Sequence, residues 1–233
     1  MMNTALEKAF VEKCKSTLNL TDDRRINEYY YTSLPFCVLD AVFSIGAHYR
    51  STELVVERYA NMRGINRYTF EEITDICTLQ QFINDVEKER NVEAFAKDVL
   101  KNRQRTSTRN GIFKADACYQ IAKAMQQFGV NTLHDFRTLP DSELKDLSDQ
   151  ILSIKGQGSG IMLRYLFMLT GGDNTCKPDR HIREYLTSIG GKALSDQEIQ
   201  ELFERVVTEL CKAYPHLTIR RLDNLIWNYQ RSL

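Results

Sequence analysis

The sequence predicts an all-α protein, and two observations favour that fold class. Apolar residues recur three and four positions apart along almost the whole chain, and this spacing places them on one face of a helix. No segment shows the alternation of apolar and polar residues that is typical of a half-buried strand. With 233 residues, of which 42% are hydrophobic, the chain is long enough to bury a full core.

Capping residues and glycines set the order of the predicted helices. Asn3 can cap the first helix, because its side chain can accept a hydrogen bond from an amide of the first turn. Ser33 and Pro35 open an apolar run over 36–45, which reads as a helix buried on most faces. Gly64 ends the helix that follows. From residue 51 onward the predicted helices span 51–62, 69–76, 79–86, 92–102, 114–128, 132–138, 141–150, 161–169, 180–188, 196–213 and 222–231, with a loop at 103–111.

Charge and hydropathy limit the classes of partner. The 31 basic and 31 acidic residues cancel, so no global field attracts DNA, and DNA binding would need a local basic patch. No stretch approaches the roughly 18 apolar residues of a membrane span, and the N-terminus has acidic residues and no long apolar segment. We therefore expect no membrane association, and a cytoplasmic or nucleoid-associated protein, or a nuclear one in a eukaryote.

The cysteines argue against a metal site. The chain has six, and they lie far apart without a CxxC pair or another tight metal-binding spacing. That pattern favours reduced thiols in the core over a disulfide framework or a zinc site. We therefore expect no bound metal.

The most informative stretch of the chain is 151–186, where glycines separate two helical runs. Gly156, Gly158 and Gly160 alternate, so the backbone can adopt positive φ and approach a ligand without side chains in the way. The amides that follow begin the helix 161–169, and exposed N–H groups at the positive end of a helix dipole bind anions. Such a hairpin would hold a phosphate of the DNA backbone whatever the attached base.

Four segments in this order resemble the helix-hairpin-helix DNA glycosylases, the HhH-GPD superfamily related to endonuclease III. The resemblance covers residues 33–186, and the final helix is also similar. Members commonly have a Leu-Pro-Gly-x-Gly hairpin and, further along, a Val-Asp-x-His pattern that carries the catalytic aspartate. The segments are LPFCVLDAVFSIGAHYRST, KADACYQIAKAMQQFG, IKGQGSGIM and KPDRHIREYL. The matching positions are Ile154-Lys155-Gly156-Gln157-Gly158 and Pro178-Asp179-Arg180-His181.

Asp179 has two interpretations. It can be the N-cap of the helix 180–188, which is a very common use of Asp. The resemblance implies a catalytic carboxylate, which would stabilise the positive charge that builds on the sugar during cleavage of an N-glycosidic bond, or orient the attacking water. Both roles are compatible, since a cap fixes the side chain at the start of a helix.

The departures from the family pattern imply a particular activity. Bifunctional members have a lysine shortly after the second hairpin glycine that forms a Schiff base with the sugar, and Gly160 stands there in this chain. The resemblance therefore implies a monofunctional glycosylase without β-lyase activity, and leaves open an unusually placed amine at Lys155 or Lys177. The iron–sulfur cluster of some relatives needs four cysteines after the aspartate. Only Cys211 lies beyond Asp179, so we expect no such cofactor.

The resemblance also implies residues that contact DNA. Relatives fill the gap left by a flipped base from the turn after the second helix, which makes His48 and Tyr49 candidate wedges, and Trp227 is a candidate for stacking on that base. Each of these residues could equally be a packing residue. A local basic patch could include Arg103, Arg105, Arg109 and Lys114. The predicted DNA contacts are Lys155, Gly156, Gln157, Gly158, Ser159, Gly160, Lys177 and Arg180.

We expect two interleaved helical domains. Residues 33–170 would form a central helical barrel with the helix-hairpin-helix motif at 151–169, and residues 1–32 with 171–233 would form a second cluster that carries Asp179. The implied function is base excision repair, in which a monomer hydrolytically removes a damaged or modified base flipped out of double-stranded DNA. Two alternatives stay open, a helix-hairpin-helix protein that binds DNA without cleaving it and a helical protein-interaction scaffold.

Overall fold

The computed structural model is predominantly helical, which confirms the predicted fold class. The structure describes residues 4–21, 30–69, 75–171, 173–190 and 193–233. The helices are α1 (Thr4–Thr17), α2 (Leu34–Phe43), α3 (Tyr49–Arg63), α4 (Leu79–Lys88), α5 (Val92–Ala94), α6 (Lys114–Gln127), α7 (Leu133–Thr138), α8 (Asp141–Ser153), α9 (Ile161–Leu169), α10 (Arg180–Thr187), α11 (Asp196–Leu210) and α12 (Ile219–Ser232), with a π-helical turn, Phe95–Val99, directly after α5. The strands are β1 (Tyr30–Tyr31) and β2 (Tyr68–Thr69). None of these described helices is both long enough and apolar enough to span a bilayer.

The helix boundaries follow the capping residues of the sequence. α3 ends at Gly64, which adopts φ of +68° and so closes the helix in the left-handed conformation. Ser33 precedes α2 as predicted, but its hydroxyl makes no capping bond and instead accepts the N–H of Cys77 at 3.0 Å. Asn3, the predicted cap of α1, lies outside the described residues. Complete capping boxes begin α4, α7 and α11, at Thr78, Thr132 and Ser195.

The departures from the predicted elements concern short segments. β1 and β2 form an antiparallel pair in which Tyr31 lies opposite Tyr68. Strands of two residues are too short to show an alternating pattern, so the sequence does not predict them. The predicted helix 69–76 is wrong at every described residue, because Thr69 belongs to β2 and Asp75 and Ile76 are not helical, while residues 70–74 lie outside the described ranges.

The chain divides into two compact units. The central unit is Asn27–Thr170, and the terminal unit combines Met1–Ile26 with Gly171–Leu233. Each unit buries its own hydrophobic core. The two ends of the chain therefore belong to one unit, and an uninterrupted middle segment forms the other.

The core of the central unit is built around α2. All ten residues of this helix are buried, as expected from its apolar run. α2 packs against α3, α6 and α9, and the ring of Tyr59 meets those of Phe36 and Phe82 edge to face. The glycine-rich segment leads directly into α9, and α9 packs against α2. The segment is therefore anchored to the core of the central unit.

In the terminal unit, α1 packs against α11 and α10 packs against α12. The ring of Phe10 on α1 lies edge to face with Tyr185 of α10 and Phe203 of α11, at 6.0 Å and 5.3 Å between ring centres. These contacts fix α10, the helix that begins directly after Asp179.

Candidate functional site

The hairpin, defined here as residues 154–160, joins α8 to α9 through two consecutive turns. The N–H of Gln157 donates to the carbonyl oxygen of Ile154 at 2.9 Å, and the N–H of Gly160 donates to that of Gln157 at 3.1 Å. Gly156 and Gly160 have φ of +91° and +74°, a conformation that residues with side chains rarely adopt. The backbone of the hairpin therefore requires glycine at these two positions.

Gly156 is also a point of close approach. A Cβ atom at this position would lie 2.3 Å from Cβ of Thr106, so only glycine fits there. Thr106 belongs to the loop 101–113, where its N–H donates to the carbonyl oxygen of Ile112 at 2.9 Å. Hairpin and loop therefore form one packed surface of the central unit.

Main-chain N–H groups at the hairpin remain available for an anion. Among the described residues, no acceptor takes the N–H of Gly156, Gly158 or Ser159. The first turn of α9 adds N–H groups that have no partner inside the helix, and the helix dipole makes this end positive. Phosphate oxygens are suitable acceptors for such a set of donors.

The side chains of the hairpin correct the prediction at one position. Lys155 and Ser159 are exposed. Gln157, by contrast, is only 3% exposed, and its N–H is taken up by Ile154. The side chain of Gln157 is therefore buried, and its main-chain N–H closes the first turn of the hairpin.

Lys114 is a second correction, since it does not belong to a surface patch. Only 4% of the residue is exposed. Its Nζ donates to the carbonyl oxygens of Phe43 at 2.9 Å and Ile45 at 2.7 Å, and to Oε1 of Gln104 at 3.3 Å. Burial lowers the pKa of Lys114 to about 8. Lys114 thus closes the C-terminal end of α2, where carbonyl groups lack helical partners.

The loop beside the hairpin keeps three arginines near the surface. Arg103 forms an ion pair with Glu93. The guanidinium of Arg105 lies 4.3 Å from the ring centre of Phe113. Arg109 is exposed. Two of the three arginines are thus held by contacts within the central unit, and the third projects from it.

The turn after α2 carries the two candidate wedge residues. His48 is exposed and occupies the N-cap position of α3, although its side chain makes no capping bond. Tyr49 is the first residue of α3 and is half-buried. Lys114 holds the start of this turn through Ile45. The structure therefore places both candidates in the central unit, together with the hairpin.

Asp179 is the N-cap residue of α10, which confirms the first of its two interpretations. Its Oδ1 accepts hydrogen bonds from the N–H groups of His181 at 2.8 Å and Ile182 at 3.2 Å. In the part of the chain that the structure describes, Oδ2 accepts no hydrogen bond. The residue is half-buried. One oxygen is therefore fixed by the helix, and the other can contact a ligand.

A buried carboxylate that the sequence analysis missed lies near Asp179. Asp223 of α12 is 7% exposed, and its Oδ1 accepts the N–H of Lys177 at 2.9 Å. Burial raises the pKa of Asp223 to about 7. The bond from Lys177 lowers it, and the charge of Asp179 raises it further. The signal in the sequence is its place between Leu222 and Ile226 on the apolar face of α12, where a carboxylate is unexpected.

Three more predicted contacts share the terminal unit with this pair of carboxylates. The ring of Trp227 lies edge to face with His181 at 6.2 Å between centres, and the guanidinium of Arg231 lies 4.3 Å from the Trp227 ring centre. Arg180 is exposed and Lys177 is half-buried. The structure thus brings the predicted residues after 170 into one unit, while the hairpin and the wedge candidates belong to the other.

The potential metal ligands among the described residues are the cysteines and the His, Asp and Glu side chains. All six cysteines are free, and five of them are buried, as expected of core thiols. Within the described ranges, no three His, Cys, Asp or Glu side chains lie together in a way that could hold a metal ion.

Comparison with known proteins gives one match. The model of a family described as a domain of unknown function (DUF8548) matches residues 8–231. Neither a search of curated proteins nor a search of solved structures finds a match.

Proposed function

The chain belongs to the family described as domain of unknown function DUF8548, and from its residues we infer that it is a monofunctional DNA N-glycosylase. The observation that carries this proposal is the carboxylate of Asp179. Its Oδ1 is fixed at the start of α10, and its Oδ2 has no hydrogen bond from any described residue. Hydrolysis of a glycosidic bond needs a carboxylate that is oriented in this way and can still reach the sugar.

In the proposed reaction, the bond between C1′ of deoxyribose and a nitrogen of the modified base breaks, and its electron pair leaves with the base. Positive charge builds on the sugar, where the negative Oδ2 of Asp179 stabilises it. Water then adds to C1′ and gives up a proton, and the departing base takes up a proton. The products are the free base and an abasic site in an intact strand.

The hairpin supplies the second support for this proposal. Its unpaired N–H groups and the N-terminus of α9 are suited to a DNA phosphate, and they would bind it without regard to the base. Lys155 is exposed beside them and can add a point charge. The proposed partner is therefore double-stranded DNA that contains a modified base, bound by a monomer.

The monofunctional character rests on Gly160. In the glycosylases that this chain resembles, bifunctional members carry at this position the lysine that attacks the sugar. Glycine has no amine that could do so. The N–H of Gly160 is instead part of the second hairpin turn. Strand cleavage should therefore require alkali after the reaction.

The test is a single-turnover assay on duplexes that each carry one modified base, with and without alkali. Asp179→Asn is the informative variant, because Asn caps a helix about as well as Asp and removes only the charge. We expect base release to slow by about 100-fold or more, with the melting temperature unchanged. Asp173→Asn serves as control, since Asp173 is exposed and its contact with Arg220 uses only its main-chain oxygen.

The other outcomes identify the alternatives. Strand breaks without alkali would contradict the monofunctional assignment and direct attention to Lys155 and Lys177. DNA binding without release of any base from any duplex would favour the non-catalytic helix-hairpin-helix protein. No salt-dependent affinity for DNA would leave the interaction scaffold.

A further inference from the structure

α12 carries a carboxylate on the face that it buries. The buried residues of this helix are Ile219, Arg220, Leu222, Asp223 and Ile226, a spacing that defines one side of a helix. Burying a carboxylate is costly unless hydrogen bonds compensate. The partners of Asp223 therefore indicate what this residue does.

Two hydrogen bonds in succession lead from the side chain of Asp223 to the main chain of Asp179. Oδ1 of Asp223 accepts the N–H of Lys177 at 2.9 Å. The carbonyl oxygen of Lys177 in turn accepts the N–H of Asp179 at 2.7 Å. Pro178 stands between them, so its ring removes one torsional freedom from the link. A shift of the Asp223 side chain would therefore also shift the backbone of the N-cap residue Asp179.

Other hydrogen bonds hold residues 173–176, which precede Lys177. The N–H of Arg220 donates to the carbonyl oxygen of Asp173 at 3.1 Å, and the N–H of Cys176 donates to Oε1 of Gln200 at 3.0 Å. Closer to Asp179, Nε of Arg183 on α10 donates to the carbonyl oxygen of Pro178 at 3.2 Å, so the segment is held from α12 by Asp223 and from α10 by Arg183.

The two carboxylates also influence each other electrostatically. The negative charge of Asp179 raises the pKa of Asp223, in addition to the larger effect of burial. The other charged groups that act on Asp223 are Lys177 in the segment and Arg220 on α12 itself, and both lower its pKa.

We propose that Asp223 is a positioning residue for Asp179, which it holds in place by binding the main chain of Lys177. This inference rests on the proposed glycosylase function, in which the placement of Oδ2 relative to the sugar determines the rate. A displacement of about 1 Å at a catalytic group can slow a reaction by 100-fold.

The first test measures position without any substrate. Asp179 Oδ1 protects the N–H groups of His181 and Ile182 from solvent. In Asp223→Leu we expect faster hydrogen exchange at these two amides, because the main chain of Lys177 is no longer held from α12. In Asp223→Asn we expect protection to be retained, because the amide oxygen still accepts the N–H of Lys177. Unchanged exchange in Asp223→Leu would overturn the proposal.

The second test measures the rate of base release by the full chain in a single turnover. We expect Asp223→Leu to lose about 100-fold in rate with little change in DNA affinity, and Asp223→Asn to recover most of the loss. Asp85→Asn is the matched control, since Asp85 is also 7% exposed but lies in the central unit, bound to Tyr59 at 3.0 Å. We expect its rate to equal that of the wild type, and an equal loss in this variant would contradict a specific role.

A third measurement decides the matter if Asp223→Leu does not fold. The carboxyl titration of Asp223, followed by carbon-detected NMR, should move to lower pH in Asp179→Asn, because a negative neighbour is gone. An unmoved titration would overturn the inference. Should wild type release no base from any duplex, the glycosylase proposal fails on its own, while hydrogen exchange and titration still decide whether Asp223 positions Asp179.

Discussion

The buried ammonium group of Lys114 donates hydrogen bonds to three oxygen atoms. Two of these are the main-chain carbonyl oxygens of Phe43 and Ile45, at the C-terminal end of α2. Lys114→Met keeps the length of the side chain but leaves the carbonyl groups of Phe43 and Ile45 without a donor. We expect the free energy of unfolding to fall by about 3 kcal/mol, because buried acceptors of a charged donor lose their partner. Urea denaturation measures this. Lys97→Met, at an exposed position, is the control and should stay within about 0.5 kcal/mol of the wild type.

Asp223 predicts how the stability of the chain depends on pH. Burial raises its pKa to about 7 from an ordinary value of 3.8. Between these values the folded chain binds a proton that the unfolded chain does not bind. The free energy of unfolding therefore decreases as pH rises through this window, by at most about 1.4 kcal/mol per pH unit for one proton.

The Asp223→Asn variant should lack this dependence, because its amide does not titrate. Melting temperatures of wild type and variant, compared near pH 5 and near pH 8, measure the effect. We expect the variant to gain stability relative to the wild type at the higher pH, where the wild type carries a buried negative charge. Parallel curves for the two proteins would show that Asp223 titrates as an exposed carboxyl.

At the scale of elements, the hairpin depends on Gly156 for two separate reasons. Gly156→Ala must adopt φ of +91° and must place its methyl group 2.3 Å from Cβ of Thr106. Gly64→Ala is the matched control, because Gly64 has φ of +68° but open space around it. We expect the control to lose about 1 kcal/mol of stability from backbone strain, and Gly156→Ala to lose about 1–3 kcal/mol more from overpacking.

The same pair of variants also separates binding from stability. Affinity for a duplex should fall in Gly156→Ala, because its clash moves the N–H groups of the hairpin, and should stay unchanged in Gly64→Ala. Fluorescence anisotropy with a labelled duplex at fixed salt measures both. Equal affinities in the two variants would remove the hairpin from the DNA-binding surface.

The sequence predicts elements better than it predicts the surroundings of single residues. α9 begins and ends at the predicted residues, because Gly160 marks its start and the apolar residues after it recur with helical spacing. β1 and β2 are too short to show the alternation of apolar and polar residues that would predict a strand. The sequence indicates a surface position for Lys114, and Asp223 was missed, since the burial of both residues arises only when distant segments pack around them. Gln157 is likewise buried because of the conformation of the hairpin turn, and no local pattern in the sequence indicates this burial.

The candidate site shows the same limit. The N-cap role of Asp179 follows from local sequence and is confirmed. The bond between Lys177 and Asp223 depends on α12, which lies more than forty residues further along the chain. Contacts of that kind follow from tertiary packing and cannot be read from helical periodicity.

At the scale of the whole molecule, the hairpin proposed to hold the DNA backbone and the carboxylate proposed to act on the sugar belong to units with separate cores. The hairpin lies in the central unit, and Asp179 lies in the terminal unit. Loss of one core should therefore remove one part of the function before the other. This consequence can be tested by a cavity in each core.

Phe203→Ala creates such a cavity in the terminal unit, where Phe203 is fully buried against Phe10. We expect this unit to lose about 3–5 kcal/mol. Hydrogen exchange should accelerate in α1 and α10–α12 and stay unchanged in α2–α9, because separately cored units open separately. On warming, base release should disappear while affinity for the duplex remains.

Phe82→Ala is the mirror variant, since Phe82 is buried against Tyr59 in the central unit. Here exchange should accelerate in α2–α9, and affinity for DNA should disappear first, because the hairpin loses the helices that anchor it. If both variants accelerate exchange equally throughout the chain, the two cores unfold as one cooperative system. DNA binding and base release would then disappear together in both variants, and neither activity could be assigned to a unit by this route.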